Sequence, residues 1–288
     1  MSLIKVRDLS YSYSNSLPTP VAAINNINLD IEQGEIIGVI GHTGSGKSTL
    51  VQHLNGLLRP TSGQIFIDGV DIWERPKEIK QIRQKVGLVF QYPEHQLFED
   101  TVRQDIAFGP KNMGITGAEL DARIENAANT VGLKEELLLK SPFDLSGGEK
   151  RRAAIAGVIA MEPKVLIFDE PTAGLDPIGR EGILNIVKAC REKGATVIMV
   201  SHSMDDIAYI ADRILVMNKG SVAMFDTVDN VFKNAEALHQ IGLNVPNITK
   251  VFLRLRQQGL DIPANVYTME AAVRVLTEYK MSGGNKNA

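Results

Sequence analysis

The feature that most constrains this chain is the octapeptide Gly41-His42-Thr43-Gly44-Ser45-Gly46-Lys47-Ser48. It fits the phosphate-binding loop pattern G-x-x-x-x-G-K-[ST]. The apolar run before it, residues 35–40, suits a buried strand, and residues 49–55 after it suit a helix. A strand, a glycine-rich turn and a helix are the context in which this pattern binds phosphate, because backbone N–H groups and the helix N-terminus face the anion.

The loop predicts a nucleotide site with a metal ion. Lys47 is expected to reach the β- and γ-phosphates of the nucleotide, and the Ser48 hydroxyl to ligate Mg²⁺. The predicted contact segment extends from Gly41 to Thr49. The alternative is a glycine turn in an ordinary α/β protein, and other parts of the chain decide between the two.

Composition and charge exclude several classes of function. The 288 residues carry a formal net charge of −3 without a long basic run, so nucleic acid is not an expected partner. Cys190 is the only cysteine, which excludes an intrachain disulfide and fits a reducing, cytoplasmic setting. We interpret Cys190 as a packing residue in a helix.

The sequence contains no run of about 18 apolar residues, the length that a membrane-spanning helix needs. The N-terminus begins a polar-apolar alternating strand and not a secretory signal. If the protein works at a membrane, we expect another chain to hold it there.

Two kinds of strand pattern predict two sheets. Continuous apolar runs separated by helical patterns predict a buried parallel sheet. They lie at residues 35–40, 86–90, 165–169 and 196–200. Short alternating segments at 2–8, 21–31 and 64–68 predict antiparallel strands, with a polar loop around Pro18 and Pro20 between the first two.

Helical patterns dominate two further regions. Residues from about 93 to 160, with a link at 112–117, predict a helical subdomain inserted into the α/β core. After residue 226, apolar residues recur at helical spacing and predict a small helical C-terminal domain. They are Ile248, Val251, Phe252 and Leu255, then Met269, Ala272, Val273 and Leu276. The predicted domains are therefore 1–225 and 226–288, with a disordered tail at 282–288.

A second constellation supports the nucleotide site. The apolar strand Val165–Phe168 ends in Asp169 and Glu170. Nucleotide hydrolysis requires two roles side by side: Asp169 would support the Mg²⁺ held by Ser48, and Glu170 would orient and polarise the attacking water.

The segment Leu145-Ser146-Gly147-Gly148-Glu149 opens a helix for which Ser146 is a good N-cap. The glycine pair permits close approach of an anion to the backbone. Alone, this pentapeptide indicates a simple helix start. LSGGE upstream of VLIFDE and downstream of a phosphate loop resembles the ATP-binding cassette (ABC) ATPases, whose fold combines a P-loop core, an antiparallel β subdomain and a helical subdomain.

The resemblance implies further roles. Gln91 matches the glutamine that contacts Mg²⁺ and the water and senses the partner protein. Asp176 ends Ala173-Gly174-Leu175-Asp176, which resembles the loop that crosses between subunits, and His202 matches the switch histidine that contacts the γ-phosphate. Tyr13 matches the aromatic residue that stacks on adenine, with Tyr11 as the competing candidate.

The expected site thus has catalytic residues Glu170, His202 and Gln91 and metal ligands Ser48, Gln91 and Asp169. The other half of the nucleotide contacts would be Ser146, Gly147, Gly148, Glu149 and Asp176 of a facing cassette. Glu149 departs from the family pattern, which most often has Gln there. This extra negative charge near the nucleotide would weaken affinity for ATP.

Longer blocks sharpen the resemblance to the energy-coupling factor (ECF) type of transporter ATPase, A-prime subunit. They are GHTGSGKSTLVQHLNGLLRPTSG, VFQYPEHQLFEDTVRQDIAFGP and SPFDLSGGEKRRAAIAGVIAMEP. The resemblance implies an ATPase at the cytoplasmic face of the cell membrane that powers uptake of vitamins or other micronutrients. Its implied partners are a second ABC ATPase subunit, an integral membrane coupling subunit and a membrane-embedded substrate-binding subunit. It also implies that the C-terminal domain helps hold the two ATPases together.

The segment from Pro93 to Asp100 bears on coupling to the membrane partner. Leu97 and Phe98 lie in sequence beside the acids Glu94, Glu99 and Asp100. Such a surface suits an amphipathic helix that carries an arginine, as in the coupling helices of ECF transmembrane subunits. The alternative is a solvated amphipathic helix start.

Two other functions remain open at this point. One is a cassette that drives a conventional importer or exporter. The other is a soluble regulatory or nucleic-acid-associated ATP-binding module, against which the absence of a basic face argues.

Overall fold

The computed structural model describes residues 2–13 and 21–281. The polar loop around Pro18 and Pro20 and the tail at 282–288 lie outside these described residues. The strands are β1 (Ser2–Tyr13), β2 (Val21–Glu32), β3 (Ile36–Ile40), β4 (Ser62–Ile67), β5 (Val70–Asp71), β6 (Val86–Val89), β7 (Val165–Asp169), β8 (Thr196–Val200), β9 (Arg213–Asn218) and β10 (Ser221–Thr227).

The α-helices are α1 (Lys47–Leu54), α2 (Ile79–Lys85), α3 (Val102–Asn112), α4 (Gly117–Thr130), α5 (Glu135–Leu138), α6 (Gly147–Ile159), α7 (Pro177–Glu192), α8 (Met204–Ile210), α9 (Val228–Lys233), α10 (Ala235–Gln240), α11 (Asn247–Gln257) and α12 (Met269–Met281). Short 3₁₀ turns lie at Pro76–Glu78, Pro93–Gln96 and Pro142–Asp144. In the part of the chain that the structure describes, no helix is both long and apolar enough to cross a membrane.

The four predicted parallel strands are β3, β6, β7 and β8, and they pair as parallel neighbours in a sheet of order β10-β9-β3-β8-β7-β6. The sheet is larger than predicted because β9 pairs parallel to β3 and β10 pairs antiparallel to β9. The short run Ile214–Met217, which forms the centre of β9, is buried like the other four. The predicted α/β class and parallel core are confirmed.

The parallel strands are apolar except at their ends because both faces of the sheet are covered. In β3, Ile36 and Ile40 belong to the core on the helical side, whereas Ile37 and Val39 belong to the core shared with the antiparallel sheet. Cys190 of α7 lies in the first of these cores and is 3% exposed.

The predicted antiparallel strands form a second sheet, of order β2-β1-β4-β5. β1 is longer than the predicted 2–8 and continues to Tyr13, since its pairing with β2 extends to that residue. This places Tyr13 at the end of a strand, beside α1.

The predicted helical insertion corresponds to α3–α6, with the predicted link between α3 and α4. The predicted boundary at 225/226 lies inside β10, and Val231 and Leu238 of α9 and α10 belong to the main core. A separate small core forms only around Phe252, with Ile262, Val266 and Ala272. The division into two domains remains a prediction, and the geometry favours a start for the second unit after Val245.

Candidate functional site

The phosphate loop lies between β3 and α1, at the carboxyl edge of the parallel sheet. Gly46 is the N-cap of α1 with φ of 101°, and a Cβ there would lie 2.7 Å from the Ala23 carbonyl oxygen. Both facts require glycine. Among the described residues, no side chain caps this helix. Its first N–H groups are therefore oriented toward an anion.

Lys47 is 6% exposed, and its ammonium donates hydrogen bonds to the carbonyl oxygens of Gly41 (2.7 Å) and His42 (3.1 Å). Burial lowers the pKa of Lys47, while the charges of Glu170 and Asp169 oppose this shift. A buried ammonium held by two backbone oxygens is poised to exchange them for phosphate oxygens.

The rest of the loop divides into lining and supporting residues. Six residues of this segment line a cavity beside the loop: Thr43, Gly44, Gly46, Lys47, Ser48 and Thr49. Ser45 is fully buried, and its hydroxyl finds no hydrogen-bond partner among the described residues. His42 bridges the Thr43 carbonyl oxygen (2.8 Å) and the Asn218 side-chain oxygen (3.1 Å) and so holds the outer turn.

Asp169 ends β7 on the same sheet edge. Burial raises the pKa of this carboxyl, and a hydrogen bond with the Ser48 side chain acts in the opposite direction. The two predicted metal ligands Asp169 and Ser48 are therefore in contact.

Glu170 follows directly with φ of 51°, a left-handed conformation that is unusual for a residue with a side chain. Its N–H donates to the Val200 carbonyl oxygen at 3.0 Å. This strained turn directs the carboxylate into the cavity mouth, as strain at functional sites often does.

The Glu170 carboxylate faces His202, which follows β8. Oε2 accepts a hydrogen bond from the His202 backbone N–H at 3.3 Å. Oε1 lies 3.4 Å from His202 Nε2 but outside hydrogen-bond geometry, and it is buried with no hydrogen-bond partner in the described structure. Burial raises the pKa of Glu170 to about 6, and burial together with the Lys47 charge lowers the pKa of His202. One acceptor oxygen of this carboxylate is thus unused within the described residues.

These residues surround one cavity of about 1000 Å³, which Gln91 and Tyr13 also line. The Tyr13 hydroxyl lies 3.2 Å from the Thr49 hydroxyl. Tyr11 packs its ring edge-on against His53 with centroids 4.7 Å apart, and it is not among the lining residues. Of the two candidates for stacking on adenine, only Tyr13 faces the cavity.

The predicted second half-site lies elsewhere on the surface. Ser146 caps α6, where its N–H and hydroxyl donate to Glu149 Oε2 at 2.9 and 2.6 Å, and its hydroxyl in turn accepts from the Glu149 N–H. These bonds with Ser146 lower the pKa of Glu149. Asp176 similarly caps α7 by accepting from Gly179 N–H at 2.7 Å. None of the residues 146–149, nor Asp176, is among the described residues that line the cavity.

The expectation for Glu94 is corrected. Its carboxylate receives two hydrogen bonds from the Arg151 guanidinium, at 3.0 and 2.9 Å, and Arg151 is only 4% exposed. Partial burial raises the pKa of Glu94, but the bonds from Arg151 outweigh it and hold that pKa below its usual value. Glu94 is an internal anchor for α6 and is not available to an arginine of a partner.

The other apolar residues of the predicted coupling segment differ in their exposure to solvent. Leu97 packs against the core, while Phe98 is 58% exposed and meets Phe108 edge-on with centroids 5.0 Å apart. Asp105, which sequence reasoning missed, accepts hydrogen bonds from the N–H groups of Phe98 and Glu99. An exposed aromatic pair thus lies beside Glu99 and Asp100.

Sequence reasoning also missed five polar residues that line the cavity: Thr172, Arg180, Ser201, Ser203 and Asp206. One signal could have identified Arg180. It lies in the first turn of α7, where the helix dipole disfavours a cation, and this favours a nearby counterion.

Comparison with known proteins agrees with this geometry. The ABC transporter family profile matches residues 24–173. An energy-coupling factor transporter ATP-binding protein EcfA2 from Clostridium perfringens is 54% identical over 96% of this chain and 97% of its own length. One from Caldanaerobacter subterraneus is 52% identical over 99% of both chains.

Two solved structures are similar as well. The cbiO1 protein of Clostridium perfringens, described as part of the ABC transporter complex cbiONQ, has a TM-score of 0.75 and 39% identity over 87% of this chain and 98% of that chain. A dimeric ATP-binding cassette in a post-hydrolysis state with ADP and Pi has a TM-score of 0.70 and 29% identity over 78% of this chain and 98% of that chain. With its parallel core, phosphate loop and paired carboxylates, the chain belongs to the ABC transporter ATPases, in the group of energy-coupling factor transporter ATP-binding proteins.

Proposed function

We propose that this chain is the ATP-hydrolysing motor subunit of an ECF-type transporter that powers uptake of vitamins or other micronutrients. The observation that carries the proposal is a single cavity that holds Lys47 together with Asp169, Glu170 and His202. Close relatives over nearly the whole chain bear the name of that transporter class.

Within the site, we assign the following roles, which the geometry supports. Lys47 and the N–H groups at the start of α1 bind the phosphates, and the Tyr13 ring packs against adenine. The Glu170 carboxylate accepts a hydrogen bond from the attacking water and polarises it, through the oxygen that no described group occupies. His202, whose lowered pKa keeps the imidazole neutral at pH 7, contacts the γ-phosphate.

The donors present fit Mg²⁺. Mg²⁺ retains several waters and uses one or two protein oxygens plus phosphate, and here Ser48 and Asp169 supply a hydroxyl and a carboxylate in contact. Among the described residues, no cluster of three or more His, Cys, Asp or Glu forms a complete cage. Bound there with Gln91 nearby, the ion would neutralise charge on the transferred phosphoryl group.

The second half of each nucleotide site comes from a facing cassette. Gly147 and Gly148 begin α6 with open space where a Cβ would point, so a partner's nucleotide can approach their backbone closely. Ala173–Asp176 crosses toward the partner, and the C-terminal unit helps hold the two ATPases together. The partner cassette is a related but different chain.

The other partners are an integral membrane coupling subunit and a membrane-embedded subunit that selects the cargo. The surface around Phe98, Glu99 and Asp100 receives an arginine-bearing coupling helix. In this proposal the chain is a peripheral protein at the cytoplasmic face of the cell membrane. Charge reversal by Glu99→Lys and Asp100→Lys is expected to weaken assembly in a pull-down with the transmembrane subunit, and unchanged assembly would refute this docking site.

The function itself is tested with Glu170→Gln in the complex co-purified with its subunits, which mass analysis identifies. We expect equilibrium ATP binding to remain and turnover to fall by a factor of about 10² or more, because the water loses its polarising carboxylate. Glu181→Gln, an exposed acid on α7, is the control and retains turnover. Full turnover in Glu170→Gln would refute the assignment of Glu170, and recovery of the wild-type chain outside the membrane fraction would refute the transporter assignment.

A further inference from the structure

A buried carboxylate beside the cavity has no part in the roles above. Asp206, in the first turn of α8, is 1% exposed. One of its oxygens accepts a hydrogen bond from the Thr172 hydroxyl at 2.9 Å, and the other is bonded to the Arg180 guanidinium. A buried charge is tolerated only with such partners, so the three side chains form one unit.

Arg180 makes a second contact from the same guanidinium. Its Nη2 donates to the Ser203 hydroxyl oxygen at 2.6 Å, and that oxygen also accepts from the Asp206 N–H at 3.2 Å as the cap of α8. The planar fork of arginine suits two acceptors at once, whereas the ammonium of lysine is a single point of charge.

The unit joins three segments that matter for hydrolysis. Thr172 lies two residues after Glu170, and Ser203 directly follows His202. Arg180 lies four residues after Asp176, which ends the crossing segment and caps the helix that carries Arg180. The His202 N–H in turn binds the Glu170 carboxylate at 3.3 Å.

We infer that Arg180 is a positioning residue that makes the Glu170–His202 geometry depend on where segment 173–176 lies. The inference rests on the proposed function, in which that segment crosses to the facing cassette. A displacement of the segment moves the first turn of α7, and the Arg180 fork transmits the displacement to Ser203 and Asp206. The backbone of His202 then shifts against Glu170, so hydrolysis is efficient only when the partner has set the segment.

The test introduces Arg180→Met into the assembled complex, whose other residues are all wild type. We would measure kcat, KM for ATP, equilibrium ATP binding and Tm on the same preparation. We expect kcat to fall by about tenfold or more, since small misplacements of reacting groups have effects of this size. The dissociation constant for ATP should stay within about twofold, because the phosphate loop is not altered. Arg180→Lys, which keeps the charge beside Asp206 but cannot serve both acceptors, should give an intermediate kcat.

Arg191→Met is the matched control on the same helix. Arg191 pairs with Asp212 at 3.2 Å and donates to the Gly34 carbonyl oxygen at 3.1 Å, at the far end of α7. It should keep kcat within about twofold, although it also loses an arginine–aspartate ion pair, one that is more exposed than the Arg180–Asp206 pair.

Three results would overturn the positioning role. They are a kcat within about twofold of wild type in Arg180→Met, a parallel loss of ATP affinity and kcat, and an equal loss of kcat in Arg191→Met. If Arg180→Met does not fold, Arg180→Lys decides, and a wild-type kcat there would overturn the inference. An inactive wild-type complex would instead refute the proposed function, and the positioning role with it.

Discussion

Two helix N-termini in this molecule are built for different tasks. α1 begins at Gly46, and no side chain in residues 2–13 or 21–281 caps it. α6 begins at Ser146, whose reciprocal hydrogen bonds with Glu149 form a complete capping box. Capping boxes satisfy the first N–H groups of a helix from within the chain. The first terminus is therefore left for an external anion, and the second is stable without one.

The difference is what the proposed function requires of one chain that carries halves of two nucleotide sites. The phosphate loop contains a buried lysine and lies beside a cavity that two carboxylates also line, whereas residues 146–149 form a helix start that is largely exposed. It also gives Glu149 a local role. Its carboxylate accepts two bonds from Ser146, and these bonds stabilise the helix start. The following predictions test this contrast, from the largest expected effect to the smallest.

Lys47→Ala should lower the affinity of the isolated chain for ATP by a factor of about 10² or more, because the charge-assisted contact with the phosphates is lost. Equilibrium binding of a fluorescent ATP analogue measures this. Lys77→Ala, an exposed lysine away from the cavity, should bind normally. If Lys47→Ala retains wild-type affinity, the loop half is not the primary site.

Gly148→Ala should leave ATP binding and Tm of the isolated chain unchanged, because a Cβ there meets no described atom within 4 Å. In the assembled complex, turnover should fall by about tenfold, since the added methyl group occupies the space of the partner's nucleotide. Gly182→Ala, an equally open helical position on α7, should keep turnover. Normal turnover of the Gly148→Ala complex would argue that residues 146–149 do not complete a site.

The pH dependence of kcat/KM for ATP tests the proposed role of Glu170 in activating water, separately from the groups that bind ATP. With a Glu170 pKa of about 6, kcat/KM for ATP should decrease about tenfold per unit below pH 6 and level off above it, because only the carboxylate accepts the proton. Steady-state rates from pH 5 to 8 measure this acidic limb of the profile. ATP binding measured over the same pH range shows whether protonation of the nucleotide itself contributes. The limb should vanish from the residual activity of Glu170→Gln, and its persistence there would assign it to another group.

Glu94→Gln should reduce the free energy of unfolding by about 1–3 kcal/mol, because the buried Arg151 of α6 loses its charged partner. Urea denaturation measures the loss. Since the folded pKa of Glu94 is lowered, this stabilisation is present above its unfolded pKa and is lost as pH falls through the folded value. Glu119→Gln removes an exposed carboxylate from its pair with Arg123 and should cost less than about 0.5 kcal/mol. Equal losses would show that Glu94 is no anchor.

Glu149→Gln should have the smallest effect, with ATP affinity of the complex changed by less than about threefold. The glutamine oxygen can still accept from the Ser146 N–H, so the capping box persists. Titration of the assembled wild-type and variant complexes with ATP compares them directly. A gain of tenfold or more would mean that the carboxylate acts on the nucleotide and not on the helix.

The sequence predicted the parts of the molecule that depend on local pattern. The four parallel strands β3, β6, β7 and β8 follow from continuous apolar runs, and the loop at 41–48 follows from its spacing. β9 was not predicted, because its buried run of four residues, Ile214–Met217, is too short for periodicity to distinguish a strand from a helix.

Contacts between residues that are distant in sequence could not be predicted from such local patterns. Glu94 stands beside Leu97 and Phe98 in sequence and resembles a surface acid, but its partner Arg151 is 57 residues away. Arg180 and Asp206 are 26 residues apart and meet only because α7 and α8 pack side by side. Such pairs are set by the fold, and no local signal specifies them.

The burial of Cys190 has a practical consequence for following motion in this protein. Burial raises the pKa of its thiol to about 12, and the thiolate is the form that reacts with maleimides and similar labels. The native chain is therefore nearly inert toward them. A single Ile178→Cys substitution, at a side chain that is 82% exposed beside segment 173–176, would take a spectroscopic label at one site, and every native residue except Ile178 would be kept.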